Sequence, residues 1–176
     1  MNFFEVLKKR KSTRQFKPNN ISDDHIQQLL EAAWTAPVAR GVFDNYHITV
    51  ITNQEIIHAI QEYDSVIKNE ASTPLFDAPL LFLVSVKNDG NAITNSEYSS
   101  AAMIIHNIAL AATALNLGHC DIWGAINRAN DNQEIVNNYQ LLEGFTVTAG
   151  IVVGELEEPL VTREITKDKI KTTFIK

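Results

Sequence analysis

Five consecutive apolar residues, Leu80-Leu81-Phe82-Leu83-Val84, lie between Pro79 and Ser85. A strand this short with no polar alternation has no face to offer water, so it must be covered on both sides. The chain therefore needs a sheet with helices packed over it. A long apolar stretch, Ala101 to Leu117, can supply such cover. Its pattern predicts a helix from about Ser96 to Leu117, ended by Gly118. Ala101, Ala102, Ala109, Ala111 and Ala112 would allow close packing, which makes this the expected central helix. His106 and Asn107 within it favour a buried helix over a membrane span, with His106 a hydrogen-bonded core imidazole.

The other elements follow in chain order. Phe3, Val6, Leu7 and Arg10 recur at helical spacing, which puts Arg10 on the buried stripe of a short amphipathic helix. Ser22 caps a helix running to Ala36, where Pro37 stops it; Ile26, Leu29, Leu30, Ala33 and Trp34 form its core stripe. Tyr46 to Thr52 is a strand, and Asn53 starts a helix with Ile56, Ile57, Ile60 and Tyr63 inward. Asp89-Gly90-Asn91 is a turn, Cys120 to Trp123 a strand ending at Gly124, and Gln133 to Tyr139 a short helix. Phe145 to Val153 is a strand closing at Gly154. A polar arm, 155–176, ends in Ile170-Lys171-Thr172-Thr173-Phe174-Ile175, which alternates like a strand able to dock on a partner. The expected fold is a single α+β domain over 1–176, a small helix-covered sheet.

Composition narrows the function classes. With 176 residues and 45% hydrophobic content, one full core is expected. One cysteine, Cys120, excludes an internal disulfide framework and fits a reducing cytoplasm. The start of the chain turns charged after Phe4, so no secretory leader or membrane anchor is expected. A formal charge of -6 argues against general nucleic-acid binding. The histidines show no paired ligand spacing, so no metal site is expected. Gly-x-Ser-x-Gly, a P-loop and Gly-x-Gly-x-x-Gly are all missing, which disfavours hydrolase and Rossmann chemistry.

Against that acidic background, Lys8, Lys9, Arg10, Lys11, Arg14 and Lys17 crowd the first seventeen residues. In an extended chain Ser12, Arg14 and Phe16 share one face, so Arg10, Ser12 and Arg14 can converge on one anion, a phosphate being the simplest. The plainer alternative is a set of solvated cations at a helix C-terminus. No residue stands out as a catalytic acid or base.

Arg10-Lys11-Ser12-Thr13-Arg14-Gln15-Phe16, Ala32-Ala33-Trp34-Thr35-Ala36-Pro37, Asp77-Ala78-Pro79, Asn107, Leu115-Asn116-Leu117-Gly118, Ile122-Trp123-Gly124 and Gly154 occur in that order. Together they resemble the FMN-dependent nitroreductases, in a short-chain form. The resemblance implies a nitroreductase-like fold with a mainly antiparallel sheet, its C-terminal strand exchanged with a dimer partner. It also implies a homodimer with FMN at the subunit interface, reduced by NADH or NADPH and oxidised by a nitroaromatic, quinone or similar small acceptor in a ping-pong cycle. The implied FMN-binding residues are Arg10, Lys11, Ser12, Arg14, Pro37, Val38, Ala39, Trp123, Gly124 and Arg163, with no catalytic side chain and no metal. A second reading is a flavin sensor or store without turnover, prompted by Val38-Ala39-Arg40-Gly41, where many members have a Ser-rich loop.

Overall fold

The protein is described by a computed structural model covering residues 1–167 and 169–176. Its helices are α1 (Phe3–Lys9), α2 (Asp23–Trp34), α3 (Gln54–Lys68), α4 (Asn95–Ala114), α5 (Gly124–Ala129) and α6 (Gln133–Asn137). Its strands are β1 (Tyr46–Ile51), β2 (Leu80–Lys87), β3 (Leu117–Ile122) and β4 (Phe145–Glu155). Among the described residues they form one four-stranded sheet, ordered β1-β2-β4-β3. Every neighbouring pair is antiparallel.

The apolar run in β2 does what its composition demands. Leu80, Phe82, Val84 and Val86 enter one core with Ala149, Ile151 and Val153 of β4, beneath α2 and α4. Leu81 and Leu83 enter a second core with Val152, Cys120 and Ile122, beneath α3, α5 and α6. The result is three layers, with the sheet in the middle. Each fully buried Leu or Ile in these cores contributes about 1.5–3 kcal/mol. The helix starts are capped as the sequence suggests: the Ser22 hydroxyl accepts from the His25 N–H at 3.3 Å, and Asn53 accepts from Glu55 at 2.9 Å.

Several expectations need correction. The helix α4 ends at Ala114, not Leu117. Its exit is made by Asn116 in the left-handed region (φ 58), whereas Gly118 lies inside β3. A Cβ on Gly118 would come within 2.8 Å of Thr13 Cγ2 and 3.1 Å of Phe16, so glycine is needed there for packing. The strand β3 stops at Ile122, and Gly124 opens α5, a helix the sequence pattern did not suggest. Trp34 is 59% exposed rather than in the α2 core. Phe3 and Leu7 are exposed, Val6 alone of α1 is buried, and Arg10 is only half-buried. On α4, His106 faces outward beside Ala102 and Met103, so it is not a core imidazole. A helical stripe marks an apolar face, but it does not say whether the same chain covers that face.

Both sheet edges matter below. The outer edge of β1 has no partner strand among the described residues. At the other edge, Ser12 makes an isolated parallel bridge to His119 of β3. Beyond Leu156 the described tail forms no helix or strand, and Ile170, Phe174 and Ile175 are 83%, 83% and 95% exposed. No described helix is long and apolar enough to cross a membrane.

Candidate active site

The basic segment 10–16 is held by backbone contacts along the free side of β3. The Thr13 N–H donates to the His119 carbonyl at 2.7 Å, and Phe16 bridges to Leu156. Thr13 and Phe16 are buried, whereas Ser12 and Arg14 stay exposed. This departs from a strict two-residue alternation, which would group Phe16 with Ser12 and Arg14. Two bridges with irregular chain between them turn the anchors in and the polar groups out.

The tail adds a cation here. Arg163 lies against the end of α1, its Nε donating to the Lys8 carbonyl at 3.2 Å and its Nη2 to the Arg10 carbonyl. Arg163 thus meets the backbone of Arg10, which leads directly into Lys11 and Ser12 at the edge of β3. A small cavity of about 110 Å³ beside Ser12 and Arg14 is also bordered by Glu157 and Glu158. Lys11, Arg14 and the Ser12 hydroxyl bring donors of the kind a phosphate accepts from to this cavity, which the two carboxylates also face.

Arg14 is positioned by a feature the sequence did not reveal. Its guanidinium sits 5.9 Å from the centroid of Phe76, within cation–π range. Phe76 and Asp77 are both left-handed (φ 56 and 50), a costly pair for residues with side chains. Gln61, buried in α3, holds that turn: its Nε2 donates to Asp77 at 2.8 Å and its Oε1 accepts the Leu75 N–H at 3.1 Å. Only the third turn of an apolar helix facing inward could have hinted at Gln61.

Trp123 and Gly124 sit at the far end of β3. Ser12 bridges β3 at His119, and the same strand ends at Ile122, just before this turn. Trp123 is 53% exposed and meets Tyr98 edge to face at 5.5 Å between ring centroids. Both border a cavity of about 470 Å³ whose other walls include Met103, His106, Asp121 and Gly150. Its lining is mainly apolar and aromatic, which suits a flat ring. Nearby, burial pushes the Cys120 thiol up, and the Arg14 charge only partly opposes this. Cys120 is therefore a packed thiol rather than a nucleophile. His119 is 1% exposed, neither ring nitrogen has a hydrogen-bond partner among the described residues, and Nδ1 lies 3.8 Å from Asp121 Oδ1.

Pro37, Val38 and Ala39 border neither of these two cavities. The Ala39 N–H donates to Ser100 Oγ at 2.9 Å, and Val38 packs against the α2/α4 core. Ser100 and Tyr98 are two residues apart on α4, so they point about 200° apart around the helix. The loop and Trp123 consequently flank α4 on different sides. Arg40 itself is left-handed (φ 57) in a single 3-10 turn, 39–41. Asn107 fixes the end of α2 just before this loop, donating to the Ala32 carbonyl at 3.1 Å and to Thr35 Oγ1 at 3.2 Å.

Known proteins share this fold. The model of the nitroreductase family matches residues 7–154, so the chain belongs to that family. It is 26% identical over 137 residues to a candidate NADH dehydrogenase/NAD(P)H nitroreductase of Methanothermobacter thermautotrophicus, a match spanning 76% of this chain and 66% of that one. The fold is shared with an FMN-bound nitroreductase of Desulfitobacterium hafniense DCB-2 (TM-score 0.83, 21% identity, all of both chains). It is shared equally with an FMN-bound nitroreductase of Bacteroides fragilis NCTC 9343 (TM-score 0.83, 22% identity, all of both chains). A BluB-like flavoprotein of Clostridium difficile 630 also has this fold (TM-score 0.77, 22% identity, all of both chains).

Proposed function

We propose that this chain is an FMN-dependent oxidoreductase that takes electrons from NADH or NADPH and passes them to a small acceptor such as a nitroaromatic or quinone. The observation that carries the proposal is that one strand, β3, is flanked at His119 by the basic segment with its small cavity at Lys11, Ser12 and Arg14, and ends at Trp123 beside the apolar cavity; together these would make one FMN groove. Arg10, Lys11, Ser12, Arg14 and Arg163 would hold the phosphate end, and Trp123 and Gly124 would border the ring. FMN, when bound, supplies the redox chemistry. The chain's own contribution is charge, orientation and an apolar wall that excludes water. Donor and acceptor would occupy the same cavity in turn, the structural basis of ping-pong kinetics.

The same groove argues for a homodimer. The Pro37–Ala39 loop lies on the wrong flank of α4 for its own groove, so it would border the partner's. Phe3, Phe4, Trp34, Met103 and Trp123 are exposed, and a partner subunit would cover them. Among the described residues neither the outer edge of β1 nor the segment 170–175 has a strand partner, and exchange of that segment between subunits would close the edge. The arm 155–176 would then be an extension of one domain rather than a unit of its own.

The colour of the purified protein is the first test. Flavin absorbance, retained on gel filtration or restored by added FMN, is the expected result; a chain that FMN cannot colour sinks the proposal. NAD(P)H oxidation that depends on added menadione or nitrofurazone then distinguishes an enzyme from a flavin store.

A further inference from the structure

A charged cluster links α3 to α5 around one buried carboxylate. Asp64 is fully buried. Its Oδ1 accepts from Arg128 Nε at 2.6 Å and contacts Arg128 Nη2 as well, while Oδ2 meets Lys68 Nζ at 2.9 Å. One carboxylate thus faces two cations, leaving a surplus of one positive charge. Arg128 lies one turn beyond Gly124, and helical side chains lean toward the N-terminus of their helix. The guanidinium accordingly rests on Gly124: a Cβ there would stand 3.1 Å from Nη2 and 3.3 Å from Nη1. Glycine at 124 is the residue that lets the positive group approach this backbone.

We propose that Arg128, anchored by Asp64, is a positioning residue that fixes the Trp123–Gly124 turn and raises the reduction potential of the flavin bound against it. This rests on the reading that FMN lies in the β3 groove with its ring at Trp123–Gly124. Reduced flavin carries more negative charge than oxidised flavin, so a positive surplus nearby binds the reduced form more tightly. Ala125, Ile126 and Ala129 beside it are buried, while Arg128 and Lys68 keep about a third of their side chains in solvent, which screens part of the field. A tenfold change in the ratio of the two flavin affinities reads as about 30 mV for two electrons.

The charge effect has a sign that a packing role lacks. Arg128→Gln removes a positive charge and lowers the midpoint potential. Asp64→Asn removes a negative charge and raises it. Loosening the turn would move both variants in the same direction. The experiment measures midpoint potentials of the FMN-loaded protein against a reference dye for the parent, Arg128→Gln, Arg128→Lys and Asp64→Asn. A lowered potential in Arg128→Gln with a raised one in Asp64→Asn supports the proposal; like-signed shifts, reversed signs, or no shift in Arg128→Gln overturn it. If Asp64→Asn does not fold, the lysine variant decides. A potential retained in Arg128→Lys and lowered in Arg128→Gln supports the proposal, and equal lowering in both overturns it. A parent protein that takes up no FMN removes the groove reading and this proposal together. A coloured parent with an unresponsive potential removes only this one.

Discussion

Gly118 of β3 and Gly154 of β4 are direct register partners, and the Phe16 ring lies across both. A Cβ on Gly154 would stand 2.7 Å from Phe16 Cδ1 and 2.9 Å from the Pro79 ring. The bare strip of backbone made by this pair is the seat for the basic segment, because Phe16 and Thr13 are its buried anchors.

Gly154→Val should therefore act at a distance. The added methyls displace Phe16, costing about 1–3 kcal/mol of stability as an overpacked site. Arg14, two residues from Phe16, should move with it. Chemical denaturation measures the first effect and fluorescence titration with FMN the second. Full stability with unchanged FMN affinity would show that Phe16 does not set the position of the cations.

Arg10→Ala tests the phosphate end alone. A charge-assisted contact is worth about 1.5–3 kcal/mol, so FMN affinity should fall roughly ten- to a hundredfold. Riboflavin, which lacks the phosphate, should bind the variant and the parent alike. The Arg10 carbonyl that receives Arg163 is main chain and survives the substitution. Equal losses for the two ligands would move Arg10 away from the phosphate.

Asp64 gives a pH signature. Burial is the largest single influence on its carboxyl and acts upward, but the contacts with Lys68 and Arg128 outweigh it and hold the group below the usual carboxylate range. A carboxylate lowered by folding stabilises the native state fully above its unfolded value, about 3.9, and loses that contribution as pH falls from there through the folded value. Urea unfolding between pH 7 and 3 should show the parent weakening over this acid window. Asp64→Asn should be less stable at neutral pH and flatter in acid. Parallel curves would mean that Asp64 ionisation is not linked to folding.

Removing 170–176 tests the exchanged tail. The truncated chain should dimerise more weakly, with sedimentation showing dissociation at concentrations where the full chain stays paired. Unchanged self-association would place the terminal segment outside the interface.

The elements were readable where a local pattern had a local cause. Continuous apolarity at 80–84 meant a strand covered twice, and Ser22 and Asn53 meant helix starts, because the groups involved lie within a few residues. What the pattern could not show depends on distant partners. Gly118 looks like a helix stop until Thr13 and Phe16 arrive over a hundred positions away, and Asn116 takes the left-handed turn instead. Gln61 and Asp64 look like surface positions on α3, yet the former holds the 75–77 turn and the latter meets Arg128. Of the expected site residues, Arg163 touches the Arg10 backbone, Lys11, Ser12 and Arg14 line one small cavity, and 123–124 follows the end of β3. Residues 37–39 do not join them within one chain.

Arg163 makes its contacts to α1 through main-chain oxygens at Lys8 and Arg10. Recognition of that kind is indifferent to the side chains it passes. Positions 8 and 9 are therefore free to drift in sequence while the tail keeps its mooring. Arg163 has no such freedom, since lysine lacks the forked donors needed to reach two carbonyls at once. Across evolution, change should be tolerated on the receiving helix and resisted at Arg163.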